Sequence, residues 1–252
     1  MKVAIVTGAS SGLGREFVKQ IAEKYSKLDE IWVVARRENL LEELKNEIGD
    51  KIKIFAYDLA DNNALMGLYE ELESSNPDVK ILVNAAGYGK VGNFSEGNYD
   101  EETGMVDINC RALTAITYMV IPHMSKKSKI INFASAAAFL PQPSFAVYAA
   151  TKAYVLSFSR ALGMELKDRG ISVTAVCPGP VKTGFFDVAD PDKKTPLYKK
   201  IMMAKPGKVV QKAINDSAVG NELSVYGVKM NVFRVLSRIL PHRWLMKLST
   251  KM

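Results

Sequence analysis

A glycine-rich stretch at residues 7–14, Thr-Gly-Ala-Ser-Ser-Gly-Leu-Gly, constrains the fold of this chain most strongly. An apolar run at 3–6 precedes it and apolar residues at helical spacing follow, so the predicted order is strand, turn and helix. Glycines at these positions permit a tight turn, close approach of the backbone to a pyrophosphate, and close packing of helix on strand. The first helical turn then presents amide groups and a positive dipole end to an anion. The predicted phosphate-binding residues are Gly8, Ser10, Ser11, Gly12, Leu13 and Gly14.

Several protein classes are disfavoured by the same stretch and by the composition. The spacing Gly-x3-Gly-x-Gly is not that of a P-loop and no Gly-Lys-Ser/Thr follows, which argues against a nucleoside triphosphatase. The two cysteines, Cys110 and Cys177, have no metal-ligand spacing, so we expect reduced packing residues of a cytoplasmic protein and no metal site. The first strand begins at once, which leaves no room for a signal peptide.

Apolar runs recur along the chain and alternate with amphipathic segments. The predicted strands are 3–6, 31–35, 52–57, 79–83, 129–134, 172–176 and a weaker last one at 222–226. This alternation predicts an α/β fold, a Rossmann-type doubly wound parallel sheet with helices on both faces. The turns between elements are short, so residues 1–252 are predicted to form a single nucleotide-binding domain. The uncharged segment 130–151 is interrupted by two prolines and is interpreted as strand, loop and helix start, not as a membrane span.

Two arginines, Arg36 and Arg37, follow the second strand. NAD-preferring proteins place an acidic residue near here to hold the ribose 2′-hydroxyl, whereas guanidinium groups would hold a 2′-phosphate. We therefore predict NADP(H) as the preferred cofactor, with NAD(H) as the alternative. The two arginines could instead be solvent-exposed residues at the start of the next helix, since Glu38 follows them. The net charge of +7 suits an anionic cofactor, and we expect no nucleic-acid partner.

Polar or small residues follow the next two strands. Asp58, before Leu59, could accept from an adenine amino group or cap the helix that begins near Asp61. The run at 84–87, Asn-Ala-Ala-Gly, would let the backbone lie close to a cofactor ring. Asn109 lies inside a helix predicted over 100–125. Because asparagine is a poor helix former, we expect its side chain to make a useful hydrogen bond.

Tyr148 and Lys152 are four residues apart on a predicted helix that runs to about residue 169. They therefore share one helix face, and a neighbouring ammonium would lower the phenol pKa from its ordinary value of about 10. Ser135 ends the fifth strand. Ligands of open α/β sheets bind outside the carboxyl ends of the strands, so these groups are expected to meet the glycine turn in one crevice. The Tyr-x3-Lys spacing alone also fits a solvent-exposed pair of residues that has no catalytic role.

Together these residues resemble the classical short-chain dehydrogenase/reductase family over roughly residues 2–183. The resemblance implies an oxidoreductase in which Tyr148 is the general acid or base. It also implies that Ser135 polarises the substrate carbonyl, that Lys152 holds the nicotinamide ribose and that Asn109 holds a water. The resemblance implies a cofactor set that includes Asp58, Leu59, Asn84, Ala85, Gly87, Tyr148, Lys152, Pro178, Gly179, Val181 and Thr183. Asn84-Ala85 departs from the Asn-Asn of many members, which bears on cofactor support.

The chain beyond residue 183 is less informative. Residues 184–210 correspond to the family's substrate lid, and their aromatic residues and methionines indicate an apolar cover or a loop anchored on the body. The tail 228–252 is basic and amphipathic. It could close the pocket or a subunit interface, or lie peripherally on a membrane. The resemblance further implies a homodimer or homotetramer.

The expected function is NADP(H)-dependent interconversion of a ketone and a secondary alcohol, with an apolar 3-oxoacyl or steroid-like substrate. The alternatives are a sugar-nucleotide epimerase or dehydratase, a non-catalytic NADP-binding sensor or scaffold, and a nucleic-acid or membrane-surface protein, which the net charge of +7 would suit. The glycine spacing and the few residues after Thr183 disfavour the epimerase, and the intact Tyr148 and Lys152 disfavour the sensor.

Overall fold

A computed structural model of the protein describes residues 1–190 and 203–249, with side chains described to residue 246. In these ranges the strands are β1 Lys2–Thr7, β2 Glu30–Val34, β3 Ile52–Phe55, β4 Asp78–Asn84, β5 Lys129–Phe133, β6 Ser172–Val176 and β7 Leu223–Ser224. They form one sheet in the order β3-β2-β1-β4-β5-β6-β7, and every adjacent pair is parallel. The predicted doubly wound parallel sheet is confirmed.

Helices connect the strands and cover the sheet. The α-helices are α1 Gly12–Lys24, α2 Glu38–Ile48, α3 Asn62–Ser75, α4 Tyr99–Val106, α5 Leu113–Val120, α6 Ala146–Glu165, α7 Phe185–Ala189, α8 Pro206–Ala218, α9 Val228–Ile239 and α10 His242–Ser249. Short 3-10 turns occur at Phe94–Glu96, Ile121–His123 and Ala136–Phe139. Of the predicted lid, residues 191–202 lie outside the described part of the chain.

The element boundaries differ from the predictions at several places, and three of them matter most. The helix predicted over 100–125 is interrupted, because Asp107–Ala112 forms a π-helical segment between α4 and α5. α6 ends at Glu165 instead of near residue 169. The last strand is only Leu223–Ser224, paired with β6, instead of 222–226. The π-helical segment contains Asn109, and such bulges occur often at functional sites.

β1 is buried on both faces, which explains its unbroken apolar sequence. Ala4 and Val6 pack into one core cluster together with α1 and α8, whereas Val3 and Ile5 pack into a second cluster on the other face. The side chains alternate because successive residues of a strand point to opposite faces. The sheet is therefore the middle layer of three.

The chain reverses its direction of travel across the sheet at β1. β1 pairs with β2 on one side and with β4 on the other, so the first three strands extend one way and the later ones the opposite way. At such a switch point the loops after neighbouring strands diverge and leave a crevice at the carboxyl edge. Thr7 and Asn84 end the two strands there.

Among the described residues, no helix is long and apolar enough to cross a membrane. The uncharged segment 130–151 divides into β5, the 3-10 turn Ala136–Phe139 and the start of α6. Residues 130–151 therefore form a strand, a loop and a helix start, as the two prolines in this segment predicted.

Gly14 gives a direct test of how tightly α1 packs on the turn. A Cβ at Gly14 would lie 2.3 Å from the Gly8 carbonyl oxygen, so Gly14→Ala forces α1 away from the turn. We expect a loss of about 1–3 kcal/mol in the free energy of unfolding, measured with urea. Gly92→Ala is the control, because a Cβ at Gly92 meets nothing within 4 Å. Equal stability of the two variants would contradict the packing argument.

Candidate active site

The turn between β1 and α1 is fixed to the segment that follows β4. Thr7 Oγ1 accepts hydrogen bonds from the amides of Ala85 and Ala86, both at 3.1 Å. Gly8 has a φ of +67°, and a Cβ there would lie 2.8 Å from the Ala86 backbone. Gly12 also has a positive φ, +56°. Glycine is therefore required here by backbone conformation and by close approach.

Arg37 connects the end of β2 to this turn. Its Nη2 donates to Ser10 Oγ at 2.9 Å and to Ser11 Oγ at 2.7 Å. Ser11 is the N-cap of α1, and its side chain makes no capping hydrogen bond to the helix. The guanidinium, two hydroxyls and the positive end of the α1 dipole thus lie together. This arrangement suits a phosphate group. Leu13, also in the predicted set, packs partly buried against the core.

Arg36 is placed differently from its neighbour. Its guanidinium is 74% exposed and lies 3.8 Å from the Asp58 carboxylate. Asp58 also accepts from the Ala60 amide at 3.0 Å, whereas Asp61 caps α3. Of the two roles considered for Asp58, the helix cap therefore belongs to Asp61. The buried Leu59 anchors this loop in the core.

The Asn84–Gly87 segment contributes backbone more than side chains. Asn84 is buried, and its Nδ2 donates to Thr117 Oγ1 and Asn132 Oδ1, both at 2.9 Å. Asn84 and Ala85 would therefore contact a bound cofactor through backbone atoms. A Cβ at Gly87 would lie 2.6 Å from Asn109 Oδ1 and 3.2 Å from Lys152 Nζ, so only glycine fits beside these side chains.

The predicted Ser135, Tyr148 and Lys152 are brought together by β5 and α6. Ser135 lies two residues after the end of β5, and its hydroxyl accepts from the Ala137 amide at 3.1 Å and is close enough to Tyr148 to affect the phenol. Lys152 Nζ lies 5.7 Å from the centroid of the Tyr148 ring and donates to the Phe133 carbonyl at 2.8 Å. Tyr148 and Lys152 are both buried. The arrangement places a partly buried hydroxyl beside a buried phenol and a buried ammonium group.

Burial controls the acidity of this cluster. Burial raises the pKa of Tyr148 to about 12, and the neighbouring Ser135 hydroxyl acts in the opposite direction. Burial lowers the pKa of Lys152 to about 8, which the nearby Cys110 and Cys177 thiols partly oppose. The prediction that the Lys152 ammonium lowers the Tyr148 pKa is wrong, because this pKa is raised and Lys152 is not among the causes of its shift. Desolvation of both groups is larger here, because each charged form loses its contact with water.

Asn109 binds the protein through its side chain. It is fully buried in the π-helical segment, and its Nδ2 donates to the Tyr88 carbonyl at 2.9 Å and to Thr151 Oγ1 at 3.0 Å. Its Oδ1 accepts from the Tyr88 amide at 3.1 Å. Asn109 thus connects the loop after β4 to α6, which satisfies the expectation of a useful hydrogen bond. Its water-holding role stays a prediction.

Two phenylalanines pack against the Tyr148 ring. Phe145 stacks on it with ring centroids 4.3 Å apart, and Phe185 lies at 5.5 Å. The sequence argument placed Phe185 in the lid but missed Phe145. Phe145 is the N-cap residue directly before α6, and its position three residues before Tyr148 is visible in the sequence. The site therefore has an aromatic wall next to the phenol.

The loop after β6 lies beside the glycine turn. A Cβ at Gly12 would lie 3.6 Å from the Thr183 side chain. The Pro178 carbonyl accepts from the Ala136 amide at 2.9 Å, which connects this loop to the one after β5. Val181 forms a bridge with Ala204, and Gly179 is covered by Met230. The predicted residues of this loop thus border the same crevice.

These residues fit a dinucleotide with an additional phosphate. The Gly8–Gly14 backbone offers the close approach that a pyrophosphate needs, and Arg37 offers a cation within the same turn. The Tyr148–Lys152 cluster lies past the end of β5, two strands away from β1 in the sheet. The crevice therefore extends from the glycine turn to the Tyr148–Lys152 cluster.

The depressed Lys152 pKa predicts a pH dependence of stability. The unfolded chain keeps this proton up to the ordinary pKa of 10.5, whereas the folded protein releases it from about pH 8. The free energy of unfolding should therefore rise with pH in that window, by roughly 1–2 kcal/mol between about pH 7.5 and 9.5. Urea unfolding of wild type and Lys152→Met measures it. The variant should lack this rise, and identical slopes for the two proteins would contradict the placement of Lys152.

Comparison with known proteins identifies the family. The family model described as short chain dehydrogenase matches residues 2–194. An uncharacterized oxidoreductase of Staphylococcus epidermidis is 30% identical over 191 residues, which cover 75% of this chain and 82% of that protein. The very-long-chain 3-oxoacyl-CoA reductase of Rattus norvegicus is 31% identical over 201 residues, covering 77% of this chain and 64% of that enzyme.

Two solved structures of NAD(P)-bound enzymes are similar to this chain. Serine dehydrogenase in its closed form, complexed with NADP+, has a TM-score of 0.77 at 28% identity and covers 88% of this chain and 93% of that one. The 3-ketoacyl-(acyl-carrier-protein) reductase of Brucella melitensis, complexed with NADH, has a TM-score of 0.76 at 28% identity, with coverages of 89% and 94%. The chain belongs to the short-chain dehydrogenase/reductase family and is an NAD(P)-dependent oxidoreductase acting on CH–OH and C=O groups.

Proposed function

We propose that this protein interconverts an apolar ketone and its secondary alcohol with NADP(H) as the preferred cofactor. The observation that carries the proposal is the cluster of the buried Tyr148 and Lys152 with the partly buried Ser135, in the crevice that begins at the glycine turn. A positioned proton donor next to a phosphate-binding turn is what a carbonyl reduction requires.

The bound nicotinamide would supply the hydride in reduction and accept it in oxidation. Tyr148 delivers its phenolic proton to the carbonyl oxygen as negative charge develops there. Ser135 donates a second hydrogen bond to that oxygen and holds the phenol in line. Lys152, whose Nζ lies 5.7 Å from the Tyr148 ring centroid, stabilises the phenolate that remains, and its ammonium would hold the nicotinamide ribose of a bound cofactor.

The preference for NADP(H) rests chiefly on Arg37. Its contacts with Ser10 and Ser11 place a guanidinium on the phosphate-binding turn, where a 2′-phosphate would be neutralised. Arg36 adds a second, more exposed cation. NAD(H) remains the alternative cofactor, since one of the two similar structures named above is complexed with NADP+ and the other with NADH.

The substrate is proposed to be apolar. Phe145 and Phe185 flank the phenol, and Phe186 packs edge-on against Phe185. Phe185 and Phe186 belong to the described start of the predicted lid, in α7 Phe185–Ala189. Two of the similar proteins act on 3-oxoacyl groups, which supports a 3-oxoacyl substrate over a steroid-like ring.

We further propose that residues 1–252 form one nucleotide-binding domain that assembles as a homodimer or homotetramer in the cytoplasm. Tyr118 and Tyr154 are exposed on neighbouring helices α5 and α6, and the Tyr154 hydroxyl lies 2.7 Å from Thr114 Oγ1. Exposed aromatic residues on adjacent helices suit a subunit interface. The two free cysteines are consistent with a reducing compartment.

The activity is tested by NADPH oxidation, followed by absorbance, against ketones ranging from small diketones to 3-oxoacyl thioesters and steroids. Tyr148→Phe should lower kcat by roughly 10²–10⁴-fold, because the proton donor is lost while the ring is kept. Tyr154→Phe is the matched control on the same helix, since its hydroxyl contacts Thr114 outside the site. Full turnover by Tyr148→Phe would refute the assigned role.

Cofactor choice is tested by Arg37→Asp and Arg36→Asp. Each should raise the KM for NADPH with little effect on NADH, and Arg37→Asp should act more strongly, by about tenfold or more. Lys27→Asp is the charge-matched control, because Lys27 is exposed before β2 at the opposite edge of the sheet. An unchanged NADPH to NADH ratio in both arginine variants would contradict the NADP(H) assignment.

A further inference from the structure

Helix α9 packs on the domain with one side only. Met230 contacts Gly179, and the Phe233 ring lies 6.4 Å from the Phe139 ring. Ser237 is 3% exposed, and Arg234 Nε is buried. These residues are three, four and seven positions apart, so they form one stripe along the helix. This inner stripe anchors α9 over the loops that follow β5 and β6.

The opposite side of α9 is apolar and faces outward. Val228 and Ile239 are 80% and 72% exposed, and Val232, Val235 and Leu236 between them are also exposed. Their spacing of four, three, one and three residues places them on one helix face. A helix that merely covers a domain shows the reverse pattern, with its apolar face inward and polar residues outward.

The surface continues into α10 and is flanked by positive charge. Trp244 is 64% exposed, and Leu240 is exposed between the two helices. Lys229, Arg238 and Arg243 are exposed. At 100° per residue, Lys229 and Arg238 fall on opposite flanks of the outward apolar stripe. No acidic residue occurs in the sequence after Glu222. We call the exposed residues of 228–244 the C-terminal face.

We propose that the C-terminal face docks on an anionic membrane surface, with α9 and α10 lying in the plane of the bilayer interface. An outward apolar stripe, basic flanks and an interfacial tryptophan are the features of in-plane amphipathic helices. The absence of acidic residues favours anionic lipid over a second copy, because two such faces would bring like charges together. Neighbouring cations would each add attraction to anionic headgroups.

The proposal is tested by flotation of the full-length protein with vesicles of phosphatidylglycerol mixed with phosphatidylcholine. We expect binding to these vesicles, weaker binding at high salt, and little binding to phosphatidylcholine alone. The double variant Val232→Glu/Ile239→Glu should bind at least about tenfold more weakly, because two apolar side chains no longer enter the interface. NADPH binding by the variant confirms its fold.

Val219→Glu is the matched control, since Val219 is 75% exposed at the end of α8 and lies outside the C-terminal face. It should bind vesicles like the wild type. Failure of the wild type to bind anionic vesicles, or equal binding by the double variant, would overturn the proposal. So would a change from oligomer to monomer in the double variant, seen by light scattering, since the face would then be a contact between copies.

Discussion

The close approach of the β1 turn to the segment after β4 is the constraint on which the rest of the site depends. Gly8 lies so near the Ala86 backbone that no side chain fits, and Thr7 accepts two amide hydrogen bonds across the gap. This contact occurs where the strand order reverses, so it fixes both walls of the crevice at once. The glycine turn and the Asn84–Gly87 loop are thereby held in register by contacts within the protein.

A chain of buried polar contacts extends this constraint to the catalytic groups. Gly87 leaves room for Asn109 and Lys152, and Asn109 bonds both Tyr88 and Thr151. Because Thr151 precedes Lys152 on α6, the loop after β4 is tied to the helix that carries the phenol. The π-helical segment is the local irregularity that allows Asn109 to point into this network. Burial then sets the acidity of Tyr148 and Lys152 in opposite directions.

The sequence predicted the parts of this arrangement that follow from the pattern of apolar residues and from the spacing of motif residues. Unbroken apolar runs such as 3–6 indicated buried parallel strands, and the glycine spacing indicated the turn. It could not show that Arg37, and not Arg36, bonds the turn serines, because both follow the same strand end. The π-helical segment also escaped prediction, since nothing in residues 107–112 marks a change of helical pitch. Phe145 was missed although its spacing from Tyr148 was readable.

The central claim is that one crevice holds the dinucleotide along its length, from Arg37 to Tyr148. A crystal structure of the protein with NADP+ tests it most directly. The account predicts the 2′-phosphate within hydrogen-bond distance of the Arg37 guanidinium and the nicotinamide beside Tyr148, with its ribose bonded to Lys152. A dinucleotide bound with its 2′-phosphate away from both arginines, or with its nicotinamide out of reach of the phenol, would contradict the account.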